Sequence, residues 1–377
     1  MSGFGLYVHW PYCAAICPYC DFNVYRARGA ANAPLLQAIA ADMKAQAARF
    51  GRRKAQSIFL GGGTPSLLRG EEIAFLLDAA RQACDVAPDV EITLESNPED
   101  GALFAEQAAA GINRFSIGAQ AFDDAALKAL GRRHDAAASR RAVDAAAATG
   151  QRVSLDLIYA REGQSVDAWA QELRAALTLP IEHLSLYQLT IEPRTAFARR
   201  ALRGQLLPPD DDAAAALYET TQALCDAAGF PAYEISNHAR TPAARAAHNL
   251  IYWRSGDWIG VGPGAHGRVT HQGVRLALEA QRRPADYIDA VAENGAGLIE
   301  ETALSAEEHA DEILLMGLRM EEGVSLARVE SLRARPLNRE ALAWLGEQGL
   351  VIADDDRVRL TRAGRALANR IVAELAS

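Results

Sequence analysis

Two spacings of apolar residues alternate along the first half of this chain. Short runs rich in β-branched, aromatic and leucine side chains cover residues 6–10, 57–60, 90–95, 114–117, 153–158 and 183–188. Between them lie longer stretches, among them 33–50, 71–85, 123–130 and 166–177, in which apolar residues return every three to four positions. The short runs predict buried strands and the long ones amphipathic helices. Their regular alternation, about six times, predicts an α/β fold around a parallel sheet. About six βα units curl into a partial barrel, short of the closed eight-unit form.

Downstream the pattern loosens. Residues 203–213, with Leu207-Pro-Pro-Asp-Asp-Asp, predict a loop, followed by a helix to Ala228 and a short strand at 233–235. A composition shift at Asn294-Gly-Ala-Gly divides the chain into 1–295, with a barrel core over 1–190, and a helical module over 296–377. Two short β runs around Asp354-Asp-Asp356, flanked by helices, make that module winged-helix-like. Packing rather than DNA binding is expected of it, because an acidic wing tip repels phosphate. The net charge of −9, from 39 Lys+Arg against 48 Asp+Glu, also argues against a nucleic-acid partner. No apolar run approaches the roughly 20 residues that span a bilayer. The first residues lack the basic and apolar regions of a signal peptide, so a cytoplasmic protein that does not span a membrane is expected.

Chemistry concentrates near the start, in Cys13-Ala-Ala-Ile-Cys17-Pro-Tyr-Cys20. A structural zinc site takes four protein ligands and a cubane cluster has four irons. Three thiolates leave one metal position open, which suits a reactive centre; the alternative is a zinc site that recruits His9. Cys84 and Cys225 stand alone and read as buried, inert thiols. Polar and glycine residues close several predicted strands: Gly61-Gly-Gly-Thr-Pro-Ser66, Glu95-Ser-Asn-Pro98, Gly118-Ala-Gln120 and Asp156. In a barrel those positions share one mouth, where function gathers.

The C-x3-C-x2-C spacing, with an aromatic residue before the last cysteine, resembles the radical S-adenosylmethionine (SAM) superfamily. The resemblance implies a [4Fe–4S] cluster held by Cys13, Cys17 and Cys20, with SAM on the fourth iron. Four more stretches narrow it: Tyr7-Val-His-Trp-Pro-Tyr-Cys, Ser116-Ile-Gly-Ala-Gln-Ala-Phe, Leu130-Gly-Arg-Arg-His134 and Asp156-Leu-Ile-Tyr. With the glycine turn they resemble the oxygen-independent coproporphyrinogen III oxidase family over nearly the whole chain. That likeness implies SAM contacts from Tyr7, Tyr19, Gly62, Gly63, Thr64, Glu95, Gln120, Arg132 and Asp156. Gln120, Arg132 and Asp156 also line up with a second SAM site of some members. Residues 260–267, glycine-rich but without the helix of a dinucleotide fingerprint, become a turn lining the SAM pocket.

The family has two branches. The oxidases carry a further cysteine two residues after the motif, where this chain has Phe22, and an extension before it. His248-Asn-Leu-Ile-Tyr252-Trp253 matches the signature of the haem-chaperone (HemW) branch. Ala160-Arg-Glu162 replaces the usual Gly-Leu-Pro, which alters the loop but not the position of Asp156. The resemblance therefore implies haem as cargo, haem-acceptor proteins such as respiratory enzymes, and an electron donor. The alternative is oxidative decarboxylation of coproporphyrinogen, so standing as an enzyme is left open, coproporphyrinogen dehydrogenase-like if catalytic. His248 reads equally as a haem ligand or as a hydrogen-bonded core histidine.

Overall fold

In a computed structural model, residues 3–27, 29, 32–333, 335–354 and 356–376 are described. The first strands are β1 (Phe4–Trp10), two short ones, β2 (Tyr12–Cys13) and β3 (Tyr25–Arg26), then β4 (Lys54–Gly62), β5 (Asp85–Ser96), β6 (Arg114–Gln120), β7 (Arg152–Tyr159) and β8 (His183–Gln188). β1 and β4 to β8 pair in parallel, each with the next. The connecting helices are α1 (Ala33–Phe50), α2 (Gly70–Ala83), α3 (Phe104–Ala110), α4 (Asp124–Ala129), α5 (Ala136–Ala148) and α6 (Val166–Leu177). Most of them bury an apolar face against the sheet. In α6 the Ser165 side chain accepts from Ala168 N, and Trp169, Leu173 and Ala176 are fully buried one turn apart. The six expected strands are present; β8 has its expected bounds and the other five are longer by one to five residues at one or both ends. The partial barrel follows.

The sheet is larger than the six units, with eleven strands. Helices α7 (Ala196–Leu202) and α8 (Asp211–Ala227) lead to β9 (Asn237–Ala239), antiparallel to β8. After α9 (Ala247–Trp253), β10 (Asp257–Val261) runs parallel to β1 on its free side. Then β11 (His266–His271), β12 (Val274–Ala280), α10 (Pro284–Asn294) and β13 (Leu298–Ala303) extend that edge in antiparallel fashion. One expectation is corrected. Residues 233–235 are not a strand, because buried Tyr233 turns inward to bond His183 and Ala246 N through its hydroxyl. The turn at 260–267 supports the cysteine segment: Asn23 Nδ2 donates to Pro263 O (2.8 Å) and Arg282 O (2.7 Å). A Cβ on Gly264 would come 2.5 Å from that amide.

The strand after Asn294 still belongs to the large sheet, with Leu278 paired to Glu301. A second core begins at α11 (Ala306–Gly317). It continues through β14 (Val324–Ser325), α12 (Leu326–Leu332), α13 (Arg339–Glu347), β15 (Val351–Ala353), β16 (Arg357–Leu360), α14 (Arg362–Arg365) and α15 (Ala368–Ala376). The three strands form their own sheet, with Ile313, Leu314, Val329, Val358 and Ile371 buried against it. Asp354 accepts from Arg357 N at 2.8 Å at the wing turn; Asp355 lies outside the described residues. Ion pairs Arg254–Glu322 (2.8 Å) and Arg268–Glu312 (2.7 Å) tie this module to the large sheet. Among the described residues no helix is long and apolar enough to cross a membrane.

Candidate cofactor site at the barrel mouth

The C-terminal ends of the parallel strands place polar side chains around one opening. β4 ends in the glycine turn, where Gly62 has φ 104°, a region disfavoured for side chains, and a Cβ would come 2.5 Å from the His9 ring. Gly63 N and Thr64 N donate to Trp10 O (2.7 Å) and Tyr12 O (2.9 Å), which clips the turn to the start of the cysteine segment. Glu95, on β5, accepts from Gly62 N at 2.8 Å. Asp156, on β7, accepts from Ser116 Oγ at 3.0 and 3.2 Å. Both carboxyls, with Tyr7, face a cavity of about 270 Å³. Burial pushes Glu95 up to about 7, and the nearby Asp156 adds to the rise. Burial likewise pushes Asp156 up to about 6, against the hydroxyls of Ser185 and Ser116. Neither is in an ion pair among the described residues. Paired carboxyls of this kind suit a ligand that brings hydroxyls or positive charge.

Beside this opening lies the cysteine segment, whose three thiols are free. Cys20 N donates to Cys17 O at 3.2 Å. Burial raises the Cys13 thiol and pushes Cys20 up to about 11, so a bound metal is what would favour their ionisation. Arg132 Nη1 donates to Cys17 Sγ (3.5 Å); its Nη2 donates to Gly118 O (3.0 Å) and Asn97 Oδ1. Tyr19 packs on Phe197 with ring centroids 6.1 Å apart, and Gln120 closes β6 at φ 68°. Thr64 lies beside the Cys13 thiol and tempers the rise of its pKa. Three thiols on one segment, flanked by an arginine and a threonine, fit the donor set of a cubane cluster with three cysteine ligands.

The zinc alternative loses its fourth ligand. His9 Nδ1 accepts from Tyr7 OH (2.9 Å), and Nε2–H donates to Asn23 O (2.9 Å), so both nitrogens are engaged. Among the described residues no three His, Cys, Asp or Glu side chains form a group that could hold a single metal ion. A cubane differs in placing each cysteine on its own iron.

His248 and His183 line the inner end, or floor, of the same cavity that Glu95 and Asp156 face. His248 is 1% exposed, with Nδ1 bonded to Ser57 Oγ (2.7 Å) and Nε2 to Tyr252 OH (2.6 Å). Its backbone N donates to Glu91 (3.1 Å), Phe59 stacks on its ring at 5.0 Å, and burial lowers its pKa to about 3. Both ring nitrogens are held by hydroxyls, which favours the core-histidine reading over the haem-ligand one. His183 repeats the arrangement with Ser154 (2.6 Å) and Tyr233 (2.8 Å). Two residues of the mouth escaped sequence reasoning as partners. Asn97, the acceptor for Arg132, was visible only as part of a strand-end motif, and Phe197 carried no signal.

A family model described as the Radical SAM superfamily matches residues 7–176, and the HemN C-terminal domain model matches 304–367. The "Heme chaperone HemW" of Mycobacterium tuberculosis (strain CDC 1551 / Oshkosh) is 38% identical over 378 residues, covering 99% of this chain and 94% of that protein. The "Radical S-adenosyl methionine domain-containing protein 1, mitochondrial" of Bos taurus is 37% identical over 385 residues, covering 99% and 87%. The solved structure of coproporphyrinogen III oxidase (HemN) from Escherichia coli covers 100% of this chain and 90% of its own, with a TM-score of 0.83 at 22% identity. That likeness establishes the fold. With the glycine turn, the three thiols and the full-length relatives in agreement, the chain belongs to the radical SAM superfamily, in the family of the haem chaperone HemW.

Proposed function

We propose that this chain carries a [4Fe–4S] cluster and SAM at its barrel mouth, binds haem and passes it to acceptor proteins. The observation that carries this reading is the match to a haem chaperone over 99% of this chain and 94% of that protein. Cys13, Cys17 and Cys20 would hold the cluster, and Arg132 would steady Cys17 through the bond to its sulfur. Tyr7, Tyr19, Gly62, Gly63, Thr64, Glu95, Gln120, Arg132 and Asp156 would receive SAM. When bound, the cluster supplies a low-potential electron for reductive cleavage of SAM.

The protein's own work is binding and orientation. Glu95 and Asp156 accept from hydroxyls or an ammonium group, and their raised pKa values ease as positive charge arrives. Tyr7 is fixed through His9, which in turn holds Asn23 O, so ligand position is coupled to the cysteine segment. We place the barrel unit through Ala303, rather than at the break after 295, and the C-terminal module beyond it. The unpaired Cys84 and Cys225, both buried, suit a reducing compartment such as the cytoplasm. Respiratory haem enzymes are the proposed acceptors.

One anaerobic preparation tests the reading. Iron, sulfide and a reduced-state EPR signal that changes with SAM are expected; zinc alone would sink the cluster. Haem titration should give a Soret shift that survives His248→Ala. Turnover of added coproporphyrinogen with SAM and reductant would replace the chaperone reading with the oxidase one. Phe22, 61% exposed, offers no thiol where that branch has one.

A further inference from the structure

The cluster reading requires electrons from outside, and one surface beside the cysteine segment differs in charge from the rest of the molecule. Residues 194–205 contain four arginines, Arg194, Arg199, Arg200 and Arg203, and no acidic residue, in a chain of net charge −9. Arg194, Arg199 and Arg203 are exposed. Arg199 Nη1 donates to Arg194 O (3.2 Å), and Arg200 Nη2 donates to Gln205 O (3.1 Å) while its guanidinium lies over Phe197. Among the described residues none of the four is paired with a carboxylate. Two acids close to this stretch are engaged elsewhere. Glu162 accepts from Leu207 N and Asp210 caps α8. Leu202, 89% exposed, and Leu207, 65% exposed, stand among the arginines.

This lip is joined directly to the cluster-binding segment. Phe197 N, in the first turn of α7, donates to Pro18 O at 2.9 Å, and Pro18 lies between Cys17 and Cys20. The Phe197 ring also packs on Tyr19. A partner seated on α7 is therefore one hydrogen bond from the backbone that carries two of the thiols. Arginines with exposed leucines form the kind of surface that steers and then holds an acidic protein.

We propose that α7 and the turn after it, centred on Arg199, Leu202 and Arg203, form the docking surface for an acidic one-electron donor protein that reduces the cluster. This rests on the cluster reading above. One electron leaves the donor's anionic flavin hydroquinone, giving the neutral semiquinone, and enters the oxidised cluster. No bond breaks and no proton moves.

The probe is flavodoxin, an acidic flavin protein, with the full-length chain. Calorimetry of oxidised flavodoxin against the cluster-free chain reads docking without the cluster. Stopped-flow bleaching of the reconstituted cluster by reduced flavodoxin reads electron transfer, with reduced methyl viologen as the small cationic control. Arg199→Glu with Arg203→Glu should weaken binding and slow flavodoxin reduction at least about tenfold, and should remove most of their salt dependence. Viologen reduction should be unchanged, which also shows that the cluster and fold are intact. Leu202→Ala, a milder change, should slow flavodoxin reduction by about threefold with the salt dependence kept. Equal flavodoxin rates in wild type and double variant would overturn the proposal, as would loss of haem binding in the variant without loss of donor binding. Failure of viologen to reduce any cluster in the wild type would instead remove the cluster reading, while the calorimetric result still judges the surface.

Discussion

Two kinds of polar group line one cavity: at its floor His248 and His183 are each bonded through both ring nitrogens to hydroxyls, while nearer the mouth Glu95 and Asp156 have no ion-pair partner among the described residues. Both ends bury polar side chains on the same strands. Ser57 and Gly62 both lie on β4, and Ser154 and Asp156 both lie on β7. The floor keeps neutral imidazoles, because burial lowers His248 to about 3, and its buried Arg114 takes Ala244 O (2.9 Å) and Glu91 (3.5 Å). The mouth keeps acids whose pKa is pushed toward neutrality. Polar groups that complete one another stabilise a fold, and polar groups with capacity left over bind something else.

Four substitutions would break or sharpen that contrast. Cys20→Ala should have the largest effect, with loss of nearly all cluster iron and sulfide on reconstitution. The melting curve of the cluster-free protein should hardly move, because half-buried Cys20 packs little apolar area. A variant that keeps a full cluster would remove Cys20 from the ligand set.

His248→Ala should be costly to the fold and neutral to the mouth. It leaves Ser57, Tyr252 and a space beside Phe59 without a partner, for about 2–4 kcal/mol of stability in urea titration. SAM binding to the reconstituted protein should stay within about twofold. A large loss of SAM or haem binding in a folded variant would show that floor and mouth are one site.

Glu95→Gln separates the ends by pH. The native carboxyl holds its proton to about pH 7, whereas the unfolded one releases it near 4.5, so this group's contribution to stability falls as pH rises between those values. Asp156, Tyr7 and Tyr252 face it and share the effect. The glutamine variant should therefore gain roughly 1–2 kcal/mol over wild type above pH 7, moderated by water in the cavity, and nothing below about pH 4.5. SAM affinity should drop about tenfold at pH 8. Equal stability of the two proteins across that range would mean that Glu95 is not desolvated. Phe22→Ala should have the smallest effect, under about 0.5 kcal/mol, because the ring is exposed.

Six strands were legible because each is an apolar run, and Gly62, Thr64, Glu95 and Gln120 stood out because they lie at or just past the end of one. The C-x3-C-x2-C spacing needs no distant information. The edge strands β11 to β13 were not legible: β13 reads Leu-Ile-Glu-Glu-Thr-Ala and is mostly exposed, so no apolar run marks it. The alanine-rich α5 lacks a strong apolar stripe and went unpredicted. The fate of His248 depended on Ser57, 191 residues away, and no local pattern carries such a pairing. The short strand expected at 233–235 failed for a similar reason, since Tyr233 bonds His183, 50 residues earlier.

The neighbour of β1 on its outer side is β10, with Tyr7 beside Gly260, and Asn23 is held by carbonyls of Pro263 and Arg282. During synthesis the three thiols therefore emerge well before the carbonyls that hold Asn23. Until residue 282 has emerged, the segment lacks the contacts that fix its far end, and the thiols remain exposed to oxidation and stray metals. Iron delivered after that point would meet a segment already held at its far end.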